Sequence, residues 1–143
     1  LGDFTSHPNI DTDGDGEIQI AEAKAVEVLN LRNKGILDLR GIEYFVNLKE
    51  LYIEHNRLTS LDISKNKQLK ELYAQGTLLT TLNIASNEKL EVADIRGGEL
   101  EMLEVDNCGN PHLRELILTD CFFTNLDKSK FPNLKIQFCN YID

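Results

Sequence analysis

Leu48-Lys-Glu-Leu51-Tyr-Ile53-Glu-His-Asn56-Arg-Leu58-Thr-Ser-Leu61-Asp-Ile63-Ser-Lys-Asn66 is followed at once by Lys67-Gln-Leu69-Lys-Glu-Leu72-Tyr-Ala74, which begins the same pattern again. Leu48, Leu69, Leu90 and Leu113 start successive units, 21, 21 and 23 residues apart, and the longer step holds an insertion around Asn107-Cys108-Gly109. Upstream, Val26-x-x-Leu29-x-Leu31 fits the frame 22 residues before Leu48; downstream, Leu134 opens a degraded unit. The second halves repeat as well. Leu58, Leu79, Leu100 and Phe123 form one column, Leu61, Leu82, Leu103 and Leu126 the next, then Ile63, Ile84 and Val105. Asn66, Asn87 and Asn110 close each turn three residues before the next Leu. A fixed period near 20 residues is the signature of stacked coils.

The physical logic is that of a strand that cannot stand alone. In Leu-x-Leu the side chains alternate with period two, so both aliphatics point the same way. One such strand leaves that face wet, whereas stacked coils bury it as a continuous ladder. Asn suits the exits from the strand because its amide bonds nearby backbone groups. Asn56 and Cys121 share one turn column, with Thr77 and Gly98 between them.

These columns, over residues 26–139, resemble the leucine-rich-repeat family. Leu58-Thr-Ser-Leu61-Asp-Ile63-Ser-Lys-Asn66 is similar to the short repeats of secreted and surface bacterial proteins, and Gly35-Ile-Leu-Asp-Leu-Arg-Gly41-Ile-Glu-Tyr-Phe45 to the opening repeats of internalin-like proteins. The resemblance implies an α/β solenoid of five to six repeats. It would be a right-handed coil with a parallel β-sheet on the concave face and irregular or 3-10 segments on the convex face. A recognition module outside the cytoplasm is implied too. The expected division is a loop and capping helix over residues 1–25 and one continuous repeat domain over 26–143.

Residues 11–22 read Asp-Thr-Asp-Gly-Asp-Gly-Glu-Ile-Gln-Ile-Ala-Glu, which matches the twelve-residue EF-hand loop. Asp11, Asp13 and Asp15 take positions 1, 3 and 5, and Gly16 the sharp turn at 6. Glu17 offers its carbonyl at 7, Gln19 acts at 9, and Glu22 is the bidentate ligand at 12. A hard cation needs several oxygens converging on one point, so calcium is the expected ion. The following Ile20-Ala-Glu-Ala-Lys-Ala suits a helix, whereas His7-Pro8-Asn9 upstream does not. Lone loops of this kind resemble dockerin-like calcium loops. The competing reading is a solvated acidic turn. Beside the first coil, a structural calcium site would close the open apolar end of the solenoid.

On the open strand face one column reads Asn30, Tyr52, Tyr73, Asp94, Ile117 and Phe138. The next reads Arg32, Glu54, Gln75, Arg96, Thr119 and Asn140, and a third Asn33, His55, Gly76, Gly97, Asp120 and Tyr141. Tyr52 and Tyr73 should stack as neighbours, and exposed aromatics are frequent anchors for a partner. Tyr52, Tyr73, Arg32, Glu54, Arg96 and His55 are therefore the candidate partner-binding residues, for a protein or a glycan. Cross-strand contact that merely stabilises the sheet is the alternative.

A net charge of −9 over 143 residues repels phosphates, which argues against nucleic acid and anionic lipid. No apolar run reaches the roughly 20 residues that span a bilayer, so no membrane insertion is expected. The chain opens at Leu1-Gly2 rather than Met, so a processed or trimmed chain is expected, and a secreted or surface location implies a signal peptide already removed. Cys108, Cys121 and Cys139 lack the spacing of a disulfide framework or zinc site. His7, His55 and His112 have no second histidine at ligand spacing, nothing orients Cys108 with His112, and nucleophile and phosphate-loop motifs are absent. No enzyme activity is expected. A spacer segment of a larger surface protein and a calcium-responsive regulator are the alternative functions.

Overall fold

The computed structural model describes residues 10–105, 110–119, 129, 131 and 134–137, the last three in backbone alone. A short helix α1 (Ile20–Ala25) is followed by eight three-residue strands: β1 (Val28–Asn30), β2 (Glu50–Tyr52), β3 (Glu71–Tyr73), β4 (Thr81–Asn83), β5 (Val92–Asp94), β6 (Met102–Glu104), β7 (Glu115–Ile117) and β8 (Lys135–Gln137). Six of them form one sheet in the order β1-β2-β3-β5-β7-β8, every pair parallel. The fold is a parallel solenoid whose rungs are the sequence repeats.

Register follows the repeat column by column. Leu29, Leu51, Leu72, Ala93 and Leu116 are partners across the sheet, and all are fully buried. Leu31, Ile53, Ala74, Ile95 and Leu118 form the second buried column. Leu58, Leu79 and Leu100 cross the core from the far side, also without exposure. Each buried leucine contributes about 1.5–3 kcal/mol of transfer free energy.

The return path differs from the expected one. A 3-10 helix occurs in the first coil, Ile42–Tyr44. Two later coils instead carry short strands, and β4 pairs with β6 in a second parallel sheet, Leu82 against Leu103. Apart from α1, no α-helix is present among the described residues. Spacing explains this. Rungs of a sheet lie about 4.8 Å apart, whereas packed helices need 8–10 Å, so consecutive coils favour extended segments on both sides. A 3-10 conformation also occurs at Ser129, in a late coil. The last rung also departs from expectation. Ile117 pairs with Gln137, where the expected frame has Phe138. Ile136 stands in register with Leu116; the expected frame would have put Gln137 there, and a one-residue slip exchanges the two faces of a strand.

Buried asparagines stitch one coil to the one before. Asn66 Nδ2 donates to the carbonyls of Ile42 and Phe45 at 2.9 and 3.0 Å. Asn87 repeats this with Ile63 and Asn66, and Asn110 with Ile84 and Asn87. Asn56 does the same on the other corner, donating to Leu31 and Ile53. Carbonyls at the corners, which the strand ladders cannot satisfy, are paired in this way. No helix among the described residues is long and apolar enough to cross a membrane.

Candidate functional site

The site residues expected from the sequence fall in two regions of the molecule: the acidic loop before α1 and the open face of the six-stranded sheet.

In the loop, Gly14 and Gly16 adopt φ of 76° and 86°, a left-handed conformation that other residues rarely hold. These turns aim backbone N–H groups at Asp11, whose Oδ1 accepts from Gly14 at 2.7 Å and Oδ2 from Gly16 at 2.9 Å. Asp15 accepts from the Glu17 N–H at 2.8 Å and from Gln19 Nε2 at 2.7 Å. Asp11, Asp13 and Asp15 each bring one oxygen within 4.8 Å of the others. Glu22 stands outside that group. Its Oε1 accepts from both the N–H and the hydroxyl of Thr12, at 2.5 and 2.7 Å, and its Oε2 from the Gln19 N–H at 3.1 Å. The Thr12 hydroxyl, with the N–H groups of Thr12, Gln19 and Asp13, outweighs desolvation and holds the Glu22 carboxyl below the usual carboxylate range. At Asp13 the Asp15 N–H lowers the pKa, yet desolvation and the charges of Asp15, Glu22 and Asp11 together leave it raised. Glu17 is exposed, and its described contact is that backbone N–H. Ile10 and Ile18 anchor the loop in the core.

On the open face, Tyr52 and Tyr73 stand on adjacent rungs because β2 and β3 pair Tyr52 with Tyr73. Their rings stack with centroids 4.9 Å apart and planes 2° from parallel. The Arg32 guanidinium carbon lies 4.2 Å over the Tyr52 ring, a cation–π contact. Arg32 Nε also bonds Glu54 Oε1 at 2.6 Å. Glu54 is 3% exposed, and its Oε2 has no hydrogen-bond partner. Arg96 bridges Asp94 at 2.8 Å and donates to Gln75 at 3.0 Å.

Period two places a further column on this face, beginning at Val28, Glu50, Glu71, Val92 and Glu115. The Tyr52 hydroxyl donates to Glu50 at 2.8 Å and the Tyr73 hydroxyl to Glu71 at 3.0 Å. Desolvation, then the bond to Glu71, then the charges of Glu71 and Glu115, push the Tyr73 phenol up to about 12. The bond to Glu50 raises Tyr52 likewise. Glu50 and Glu71 escape notice when the face is counted only from the residue after each central leucine. Period two itself is the signal that finds them, since residues two apart share a face.

The third expected column does not belong to the face. Asn33, His55, Gly76 and Gly97 all have positive φ, from 54° to 65°. They are left-handed corner residues, which explains their types. His55 is exposed at the corner and lies over Gly76, where an added Cβ would meet its Nδ1 at 2.6 Å. Of the six expected partner-binding residues, Tyr52, Tyr73, Arg32, Glu54 and Arg96 converge on the sheet, and His55 stands beyond its edge. Cys108, Cys121, Cys139, His7, Asp120, Phe123, Leu126, Phe138, Asn140 and Tyr141 lie outside the described residues.

No protein-family model matches the sequence, and no curated protein matches it. Solved structures do match. The chain is similar to the functional domain of InlJ from Listeria monocytogenes, described as including a cysteine ladder. Identity is 26% and the TM-score 0.60, over 86% of this chain and 36% of that one. It is also similar to the internalin InlF from Listeria monocytogenes, with 15% identity and a TM-score of 0.63, over 86% of this chain and 45% of that one. The chain thus spans less than half of either structure. With internalins as its structural neighbours, the coil is of leucine-rich-repeat type.

Proposed function

We propose that this chain is a non-catalytic recognition module of a secreted or surface-exposed bacterial protein, binding a protein partner through the open face of its sheet. One observation carries the reading. The face sets a stacked Tyr52–Tyr73 pair among charged groups on two interior strands of the sheet, where a structural surface would need neither. Aromatic and arginine anchors at the centre of a contact supply most of its binding energy. The internalin-type coil supports the reading by supplying a rigid array of rungs. In capture experiments Tyr52→Ala with Tyr73→Ala is expected to abolish partner retention while the melting temperature falls only slightly. Undiminished capture would overturn the proposal.

We further propose that the loop binds calcium, with Asp11, Asp13 and Asp15 as direct ligands, the Glu17 carbonyl and Gln19 completing the near side, and Glu22 turning in from its Thr12 contact. Three carboxylates crowded on one small loop repel each other, and a divalent cation relieves that repulsion. In this reading the role is structural, with the ion fixing the loop and α1 as the cap of the first coil. Calcium is expected to stabilise the chain by about 2.7 kcal/mol at a hundredfold excess over Kd, read as a higher melting temperature. Asp11→Ala and Glu22→Ala should each remove the effect, and a calcium response that survives both sinks the assignment.

A further inference from the structure

Neighbouring rows of the sheet treat charge in opposite ways. The row at residues 27, 49, 70, 91 and 114 is compensated: Glu27 bridges Lys49 at 2.7 Å, and Glu91 bridges Lys70 at 3.7 Å and Arg114 at 3.1 Å. One residue on, the open-face row sets Glu50 directly against Glu71 in register, and neither has a salt bridge among the described residues. Like charges facing each other across a strand pair are destabilising. The face's two described arginines cannot help, since Arg32 is held by Glu54 and Arg96 by Asp94. Glu115 registers against Val92 on one side and Lys135 on the other, so the like-charged pair facing each other in this row, among the described residues, is Glu50 and Glu71.

The aromatic stack carries a cation at one end only. Arg32 covers Tyr52, Tyr52 covers Tyr73, and no described ring or guanidinium covers the other side of Tyr73. The next rung in register carries Val92 and Asp94, both buried, with Arg96 bonded to Asp94 and Gln75 rather than laid on the ring. One end of the stack is therefore finished by a guanidinium with a carboxylate beside it, and the other end repeats the aromatic and the carboxylate without the cation.

We infer that the open face takes an arginine or lysine side chain from a basic segment of a protein partner, laid against the β5 side of Tyr73 beside the Glu71 carboxylate, with Glu50 one rung further back. The inference deepens the proposed binding role and rests on it. A guanidinium suits the place because it offers a flat face to the ring and in-plane donors to the carboxylates. A hard metal ion does not suit it, since the convergent carboxylates among the described residues are Asp11, Asp13 and Asp15. A neutral glycan would leave the Glu50–Glu71 repulsion in place. The overall charge of −9 steers a basic partner toward the molecule.

The test is calorimetric titration of the whole chain, in calcium-containing buffer at low salt, with a capped peptide alternating glycine and arginine and with its neutral citrulline counterpart. The arginine peptide is expected to bind, the citrulline peptide not. Glu50→Gln with Glu71→Gln should weaken binding by about tenfold or more, as should Tyr73→Leu, while Glu99→Gln with Glu101→Gln leaves it unchanged. The Glu50/Glu71 double variant should melt no lower than the parent, which separates lost binding from lost fold. Equal binding of both peptides, or an equal loss from the Glu99/Glu101 variant, overturns the inference. So does a face that ignores the arginine peptide yet captures a neutral glycan in a Tyr52- and Tyr73-dependent way, an outcome that leaves the binding role standing. Partner capture indifferent to Tyr52→Ala and Tyr73→Ala removes both.

Discussion

On the inner side of the sheet each rung repeats the one before: Leu29, Leu51, Leu72, Ala93 and Leu116 are buried in a single line. On the outer side the same strands carry Asn30, Tyr52, Tyr73, Asp94 and Ile117, and the repeat breaks almost at every step. Both columns ride on one backbone, one residue apart. The inner column must satisfy the same neighbours at every rung, so packing selects one residue type. The outer column meets no such constraint, and what it carries is left to whatever it touches.

That contrast can be tested from both sides. Leu72→Ala opens a cavity in the continuous ladder and should cost about 2–5 kcal/mol in urea unfolding; a loss comparable to that of a Tyr73→Ala control would erase the distinction between the faces. Asn87→Ala strips the donors from the buried carbonyls of Ile63 and Asn66, and about 1–3 kcal/mol should be lost by the same measure. On the outer side the sign should reverse. Glu71→Gln relieves the repulsion from Glu50 and should stabilise the chain by about 0.2–1 kcal/mol, seen as a higher urea midpoint; a lower midpoint would mean that Glu71 is structural. The smallest effect is spectroscopic. Because the Tyr73 phenol is raised from 10.0 to about 12, its contribution to stability is complete below pH 10 and fades as pH climbs through about 12. Tyrosinate absorbance should show a late-titrating phenol in the parent, shifted down toward its ordinary value in Glu71→Gln.

Much of this architecture is legible in spacing alone. A 21-residue step with in-register parallel rungs puts Tyr52 beside Tyr73 and Leu51 beside Leu72, with no further information needed. Spacing is blind, however, to the sign of φ. The column from Asn33 to Gly97 has the same period as the face, yet its left-handed corners turn it away; its content of Asn, His and Gly was the available clue. The last rung was hidden for a different reason. Leu134 looks like the counterpart of Leu113, and only the pairing of Ile136 with Leu116 shows the unit one residue shorter. For the acidic loop, order along the chain shows which oxygens could converge, but not that Thr12 competes for Glu22.

The asparagine stitches give the molecule a mechanical grain. Each reaches back to the preceding coil, and the sheet's own bonds run in the same direction, so a pull along the axis loads every joint in series. Under such tension the coils come away singly, like links of a chain. Each 21-residue link pays out about 70 Å of extended polypeptide as it goes. A chain so built would lengthen stepwise under load while its remaining coils stay folded.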